Sequence, residues 1–335
     1  MTNNNMMYFW RVAFTYMIAF HHLFSIYGKG VGWYIGVDFF AIVSGYLLCN
    51  HIDKNPTEHV LSYCKKRFFY FIPIVFFSAI FRLVVETYYN SSSLNDIIIK
   101  IIRAIPEFLL INAYGLSPYL NHVDWYIQVS VIPSILLFYM YKQHKEFIIS
   151  CFAPITCWLI YSLLFTRFHY AEGYIANGKS VEGIVNWPLL RVFAGFCLGV
   201  FLYHISNFYH LKINKKFQFV PILVFILVFI LSYFYGKSNF DFMYILLLSI
   251  GIVFSFSTHA NIFFYNKYTI YLSNLSIFIY LNHIPFRIII RKYFEEFSFI
   301  GILVYIISVT LFSLFFFICH DKIRKLIKVK FIKGK

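Results

Sequence analysis

Charged side chains are scarce in this sequence, 13% of 335 residues against 60% apolar. With a mean hydropathy of +0.70, that balance excludes an ordinary soluble domain and describes an integral membrane protein. Acidic residues are scarcest, 14 against 29 basic ones. In a soluble protein a net charge of +15 would suggest nucleic acid. Beside membrane spans it is the bias of Lys and Arg toward the inner face, so no nucleic-acid partner is expected. The six cysteines (Cys49, Cys64, Cys151, Cys157, Cys197 and Cys319) are scattered, without a CxxC or Cys/His spacing. Neither a disulfide framework nor a metal site is expected. No Pro- or Gly-rich linker interrupts the chain, so a single membrane domain is expected over 1–335, with a basic tail at 320–335 suited to anionic lipid headgroups. The opening Met-Thr-Asn-Asn-Asn lacks a basic n-region and a cleavage site, and reads as leading into a retained first span. Aromatics reach 23%, but Ile, Lys and Asn are abundant too, which points to genome composition and not to a binding site.

Hydrophobic length is what the chain has. Runs of about 20 apolar residues, enough to cross a ~30 Å hydrocarbon core, recur throughout. The pattern predicts an all-α, polytopic transmembrane helix bundle. About ten spans are expected, near 7–27, 31–51, 68–88, 123–141, 147–165, 187–206, 217–235, 240–258, 268–288 and 298–319. With both termini cytoplasmic, the inner segments hold 17 Lys/Arg and the outer ones ten, which favours that orientation. Segment 94–112 is ambiguous. Its Asp96, Lys100, Arg103 and Glu107, three or four residues apart, suit an interfacial helix better than an eleventh span.

The informative residues are the polar ones inside these runs. Arg11 and His22 interrupt the first span. Eleven residues make almost three helical turns, so the two share a face to within roughly 20° and lie about 16 Å apart along the axis. A charge inside a span costs at least ~2.5 kcal/mol and marks a functional position by default. The competing explanation is an Arg11 that snorkels and a His22 satisfied in the interior. Asp38 interrupts the second span within Gly36-Val37-Asp38-Phe39-Phe40-Ala41-Ile42-Val43-Ser44-Gly45-Tyr46-Leu47. A tight loop through Gly28, Lys29 and Gly30 sets Asp38 and His22 at similar depth. The expectation is a dyad in which the carboxylate orients the imidazole as general base, against a purely structural Asp–His bond. His21, turned about 100° from His22, is expected not to be catalytic.

Arg11-x10-His22 followed by Gly-Val-Asp-Phe-Phe-x3-Ser-Gly-Tyr-Leu resembles the membrane-bound acyltransferase-3 family. That family includes O-acetyltransferases of lipopolysaccharide, capsule and other exported glycans. Three further segments agree in order: Arg67 to Pro73, Arg191-x-x-x-Gly195-Phe196-x-x-Gly199, and Ser276-x3-Tyr280-Leu281-x-His283. Two departures stand out. Tyr70 occupies the place of a second arginine in the third span, leaving Lys65, Lys66 and Arg67 for phosphate contacts. Ser130 stands five residues after Trp125, where many members carry glutamate.

The resemblance implies an acyltransferase of the bacterial cytoplasmic (inner) membrane that binds no cofactor. It would move an acyl group, acetyl by analogy, from acyl-CoA as co-substrate to a hydroxyl of a glycan or lipid-linked sugar. It implies His22, Asp38 and Arg11 as catalytic residues and Lys65, Lys66 and Arg67 as the acyl-CoA site. Ser44, Trp125, Arg191, Tyr280 and His283 would line the acceptor path. Without it, Trp125 reads as an interface anchor, Arg191 as a snorkelling cation, and Tyr280 and His283 as core hydrogen bonders. The alternative from another class is a polytopic transporter or flippase for a sugar or lipid-linked substrate, against which no inverted repeat is visible.

Overall fold

The computed structural model describes residues 5–91, 93–112, 120–173, 181–182, 184–208, 217, 219–257 and 267–333. Lys179, Lys212, Lys215, Lys216 and Lys335 of the charge count lie outside the described residues, as do residue 218 of the expected span 217–235 and residue 258 of the expected span 240–258.

The chain is an all-helical bundle, and each segment expected to span carries a helix. In order these are α1 (Asn5–Ser25), α2 (Gly36–Lys54), α3 (Val60–Asn90), the short α4 (Leu94–Arg103) and α5 (Ile105–Phe108), then α6 (Trp125–Gln143) and α7 (Lys145–Phe168). There follow α8 (Trp187–Phe208), α9 (Val220–Tyr235), α10 (Asp241–Ser257), α11 (Lys267–Tyr293) and α12 (Phe299–Lys333). The strands Val181–Glu182 and Val185–Asn186 pair antiparallel ahead of α8. Helix α4 starts on a capping box in which Ser93 and Asp96 satisfy each other's backbone amides. Its 10 residues span only ~15 Å, too short to cross a bilayer.

Six helical stretches among the described residues are long and apolar enough to cross a membrane: Trp33–Lys54, Val60–Asn90, His122–Gln143, Lys145–Phe168, Trp187–Asn207 and Phe299–Lys325. Helices α9 and α10 are apolar but have only 16 and 17 residues. Helices α1 and α11 differ in kind. They are long, but Arg11, Thr15, His21 and His22 dilute the first, and Ser273, Ser276, Asn282, His283 and Arg287 the second. These two polar helices pack along each other. Side chains that lipid would reject are thereby turned onto one another.

Helix α1 is also the seam between two hydrophobic cores. Its Phe14 and Met17 pack with residues of α2 and α6 to α10. Its Ile18, Ala19 and Leu23 pack with residues of α3, α11 and α12. Helix α2 turns instead to α8, and small residues set that approach. Gly195 and Gly199, four apart on α8, face Ala41 and Gly45, four apart on α2. A Cβ on Gly45 would run into the Phe196 carbonyl, and one on Gly199 into the Ile42 carbonyl. This is the small-xxx-small packing that lets backbones touch in a membrane, where van der Waals contact replaces the hydrophobic effect between helices. Gly199→Leu is therefore expected to lower the melting temperature in detergent and promote aggregation, whereas Gly30→Ala, with nothing within 4 Å of the added carbon, is neutral. A Gly199→Leu protein that melts with the wild type would refute the seam.

Candidate active site

On α1 the residues Arg11, Thr15, Ile18 and His22 succeed one another at helical spacing. On α11 Ser276, Tyr280, His283 and Arg287 do the same. The two stripes face each other. Between them and α2, α3 and α6 lies a cavity of about 140 Å³, lined by Arg11, Thr15, Ser44, Arg67, Tyr126 and Tyr280 among others. Thr15 donates to the Arg11 carbonyl (2.8 Å), and Ser44 and Tyr126 share a hydroxyl contact of 3.3 Å. The Tyr280 hydroxyl donates to the Val123 carbonyl (2.5 Å), which anchors α11 to the turn before α6.

One turn beyond Ile18 and Tyr280 the His22 and His283 rings stack, with centroids 5.2 Å apart and planes at 28°. His283 is fully buried, and its Nδ1–H donates to the Tyr280 carbonyl (2.5 Å). That bond fixes the tautomer, leaving Nε2 as the lone-pair nitrogen, and Nε2 has no hydrogen-bond partner among the described residues. His22 retains some exposure. His21 points elsewhere, with Nδ1–H on the Val31 carbonyl (2.9 Å) and Nε2 3.9 Å from Glu172.

The dyad expected from sequence is not what forms. Asp38 is fully buried and bound by Arg191, whose Nη2 donates to Oδ2 at 2.5 Å and whose Nε reaches both oxygens at 3.2–3.3 Å. Tyr161 of α7 donates to Oδ1 at 3.2 Å. Arg191 also donates to the Tyr34 carbonyl, while the Tyr34 hydroxyl donates to Asp241 at 2.6 Å. Arg191 is thus neither snorkelling nor among the residues lining this chamber; it is Asp38's counter-ion. Similar depth did not put His22 and Asp38 on one face. Helix α1 turns His22 to α11, while the glycine seam turns Asp38 to α8.

A second, larger cavity of about 1140 Å³ opens at the start of α3, lined by Lys65, Lys66, Arg67, Tyr70, His51 and Arg324 among others. Lys66 is held by Glu58 at 2.5 Å, and His51 bonds the other carboxylate oxygen. Desolvation would raise the Glu58 carboxyl, but the bonds from Lys66 and His51 outweigh it and hold the group below its usual range. Arg67 donates to Tyr63 (2.9 Å). Arg67 and Phe71 line both cavities, so the basic opening and the buried chamber beside Arg11 share a wall.

Of the remaining expected residues, Ser44 and Tyr280 reach the chamber. Trp125 packs, half-buried, against both cores at the start of α6 and is not among the residues lining either cavity. Sequence reasoning missed Tyr126, Tyr161, Arg287 and a buried carboxyl pair. Glu107 and Asp124 are both fully buried, with the amides of Leu120 (2.6 Å) and Asn121 (3.0 Å) donating to Glu107. Burial holds the Glu107 carboxyl above its usual range despite the bonds from Asp124 and these amides. Arg287 was legible, four residues after His283 on the same face. Tyr161 lay in an apolar run with nothing to mark it.

Comparison with known proteins settles the family. The sequence model of the acyltransferase-3 family, described as an acyltransferase domain, matches residues 7–319. The chain belongs to the acyltransferase-3 family. Neither a curated protein nor a solved structure matches it significantly. Membership, with the apolar helices, makes this a multi-pass membrane acyltransferase.

Proposed function

We propose that this acyltransferase moves an acyl group, acetyl by preference, from acyl-CoA to a hydroxyl of an envelope or exported carbohydrate, with lipopolysaccharide and capsule as the acceptor class. Ten spans, both termini cytoplasmic and the bacterial inner membrane belong to the same reading. The observation that carries it is the wall shared by the two cavities. A basic opening suited to a phosphate-rich donor adjoins a chamber whose far side approaches the His22–His283 stack.

In this reading Lys65, Lys66 and Arg67 hold the donor phosphates, and the pantetheine arm extends past Phe71 toward Arg11. His22 takes the proton from the acceptor hydroxyl as its oxygen attacks the thioester carbonyl. The C–S bond breaks, the ester C–O bond forms, and the proton passes to the departing thiolate. A variant in which His22 first carries the acyl group splits the same exchange into two steps. Ser44, Tyr126 and Tyr280 present hydroxyls to the chamber, where a low dielectric strengthens their contacts. Trp125, Tyr280 and His283 border the acceptor's approach, and membrane lipids bathe the outer helices. No cofactor or metal takes part.

The experiment is consumption of acetyl-CoA by the purified protein. The double substitution Lys66→Glu, Arg67→Glu is expected to raise KM for acetyl-CoA at least tenfold, in a salt-sensitive way. Wild-type protein that neither binds CoA nor consumes acetyl-CoA, with envelope sugar supplied, would remove this reading.

A further inference from the structure

The basic opening is built from two helices, not one. Tyr70 stands on α3 one turn after Arg67, and the guanidinium of Arg324, from the far end of α12, lies 5.2 Å from the centre of its ring. His320, one turn earlier on α12, meets the same ring edge-on at 5.8 Å. Arg324 lines the cavity together with Lys65, Lys66 and Arg67.

The cations around this cavity are not equivalent. Lys66 reaches the cavity already paired with Glu58 at 2.5 Å. On α12, Asp321 is taken by Lys325 at 2.6 Å. Among the described residues Arg324 and Lys65 form no ion pair. The cavity therefore draws cations from two helices, Lys65 and Arg67 from α3 and Arg324 from α12. A guanidinium steadied on an aromatic face keeps its N–H fork free for two phosphate oxygens.

We propose that Arg324 is a phosphate-binding residue of the donor site, and that the end of α12 closes that site over Tyr70, supplying from another helix the guanidinium that α3 lacks at this position. The ligand chemistry is a phosphate mono- or diester anion. The proposal rests on reading the cavity as the acyl-CoA site, and it adds a residue some 250 positions away in the chain.

The test uses full-length protein in neutral detergent free of anionic lipid. KM and kcat for acetyl-CoA, and calorimetric binding of CoA, are compared for wild type, Arg324→Ala, Arg324→Lys, Lys325→Ala and Tyr70→Arg/Arg324→Ala. Arg324→Ala is expected to raise KM and the CoA dissociation constant about tenfold or more with kcat nearly unchanged. Arg324→Lys should recover part of this, since it restores charge without the fork. Lys325→Ala, which frees Asp321 to compete for Arg324, should raise KM far less than Arg324→Ala does. The double variant should recover most of the affinity, because its guanidinium rises from α3 into the same cavity; a monodisperse double variant with no recovery would overturn the shared site.

Unchanged CoA binding in Arg324→Ala would overturn the proposal. So would a defect seen only in bilayers containing phosphatidylglycerol, which would make Arg324 a lipid-headgroup contact. Wild-type protein that fails to bind CoA would instead overturn the donor reading itself, an outcome distinct from a defect confined to Arg324 variants.

Discussion

Asp38→Asn is expected to unfold the protein, not merely to slow it. The substitution removes one charge of a buried pair and leaves Arg191, with no exposed surface, facing a neutral amide in the bundle interior. Breaking such a pair from one side costs about 3–5 kcal/mol, a large part of the stability of a typical domain. Arg191→Ala should be as damaging, because the orphan is then the carboxylate. Replacing both together, as Asp38→Leu/Arg191→Met, should recover much of the loss, since an apolar pair of similar volume removes the desolvation penalty along with the attraction. Thermal melting and size exclusion of the three variants give the coupling directly. The opposite result is equally concrete. A well-folded Asp38→Asn protein with its turnover lost and its pH–rate profile displaced would mean that the carboxylate serves His22, and that the Arg191 contact is secondary.

His22→Ala is expected to leave a folded protein with turnover lower by about 10²–10⁴, the usual contribution of a positioned general base. His22 lies on the α1 stripe that continues from the chamber, and its ring is stacked on His283. His283→Ala removes that ring and the Nδ1 anchor to Tyr280, and should cost roughly a hundredfold through misplacement of His22. His21→Ala should be much milder, because His21 is committed to Val31 and Glu172 at the edge of the bundle. Specific activity per folded molecule is the measure. A His21→Ala protein more impaired than His22→Ala would reverse the assignment.

Much of the architecture is legible in the sequence alone. Apolar runs of the right length become helices because lipid leaves the backbone no other way to satisfy its own hydrogen bonds. The close approach at Gly195 and Gly199 is not read from the sequence, where the two glycines enter only as part of a family motif; the contacts a Cβ would meet there reveal it. Arg11 and His22 shared a face for the reason that three turns of helix take almost eleven residues. On α11 the same arithmetic would have added Arg287 to Tyr280 and His283.

What sequence could determine was periodicity, polarity and the sign of charge: which segments are helices, which faces carry polar groups, and which family motifs they compose. Pairing was decided in three dimensions. Depth in the membrane follows from counting residues, but the face a helix shows its neighbours follows from which small residues let which backbones approach. Gly45 and Gly199 bring α2 onto α8, which delivers Asp38 to Arg191, 153 positions away. Helix α1, sitting between two cores, is left to carry His22 to His283 on α11. Arg324 reaches Tyr70 only because α12 folds back along α3 and α11, a contact across some 250 positions that no local pattern encodes.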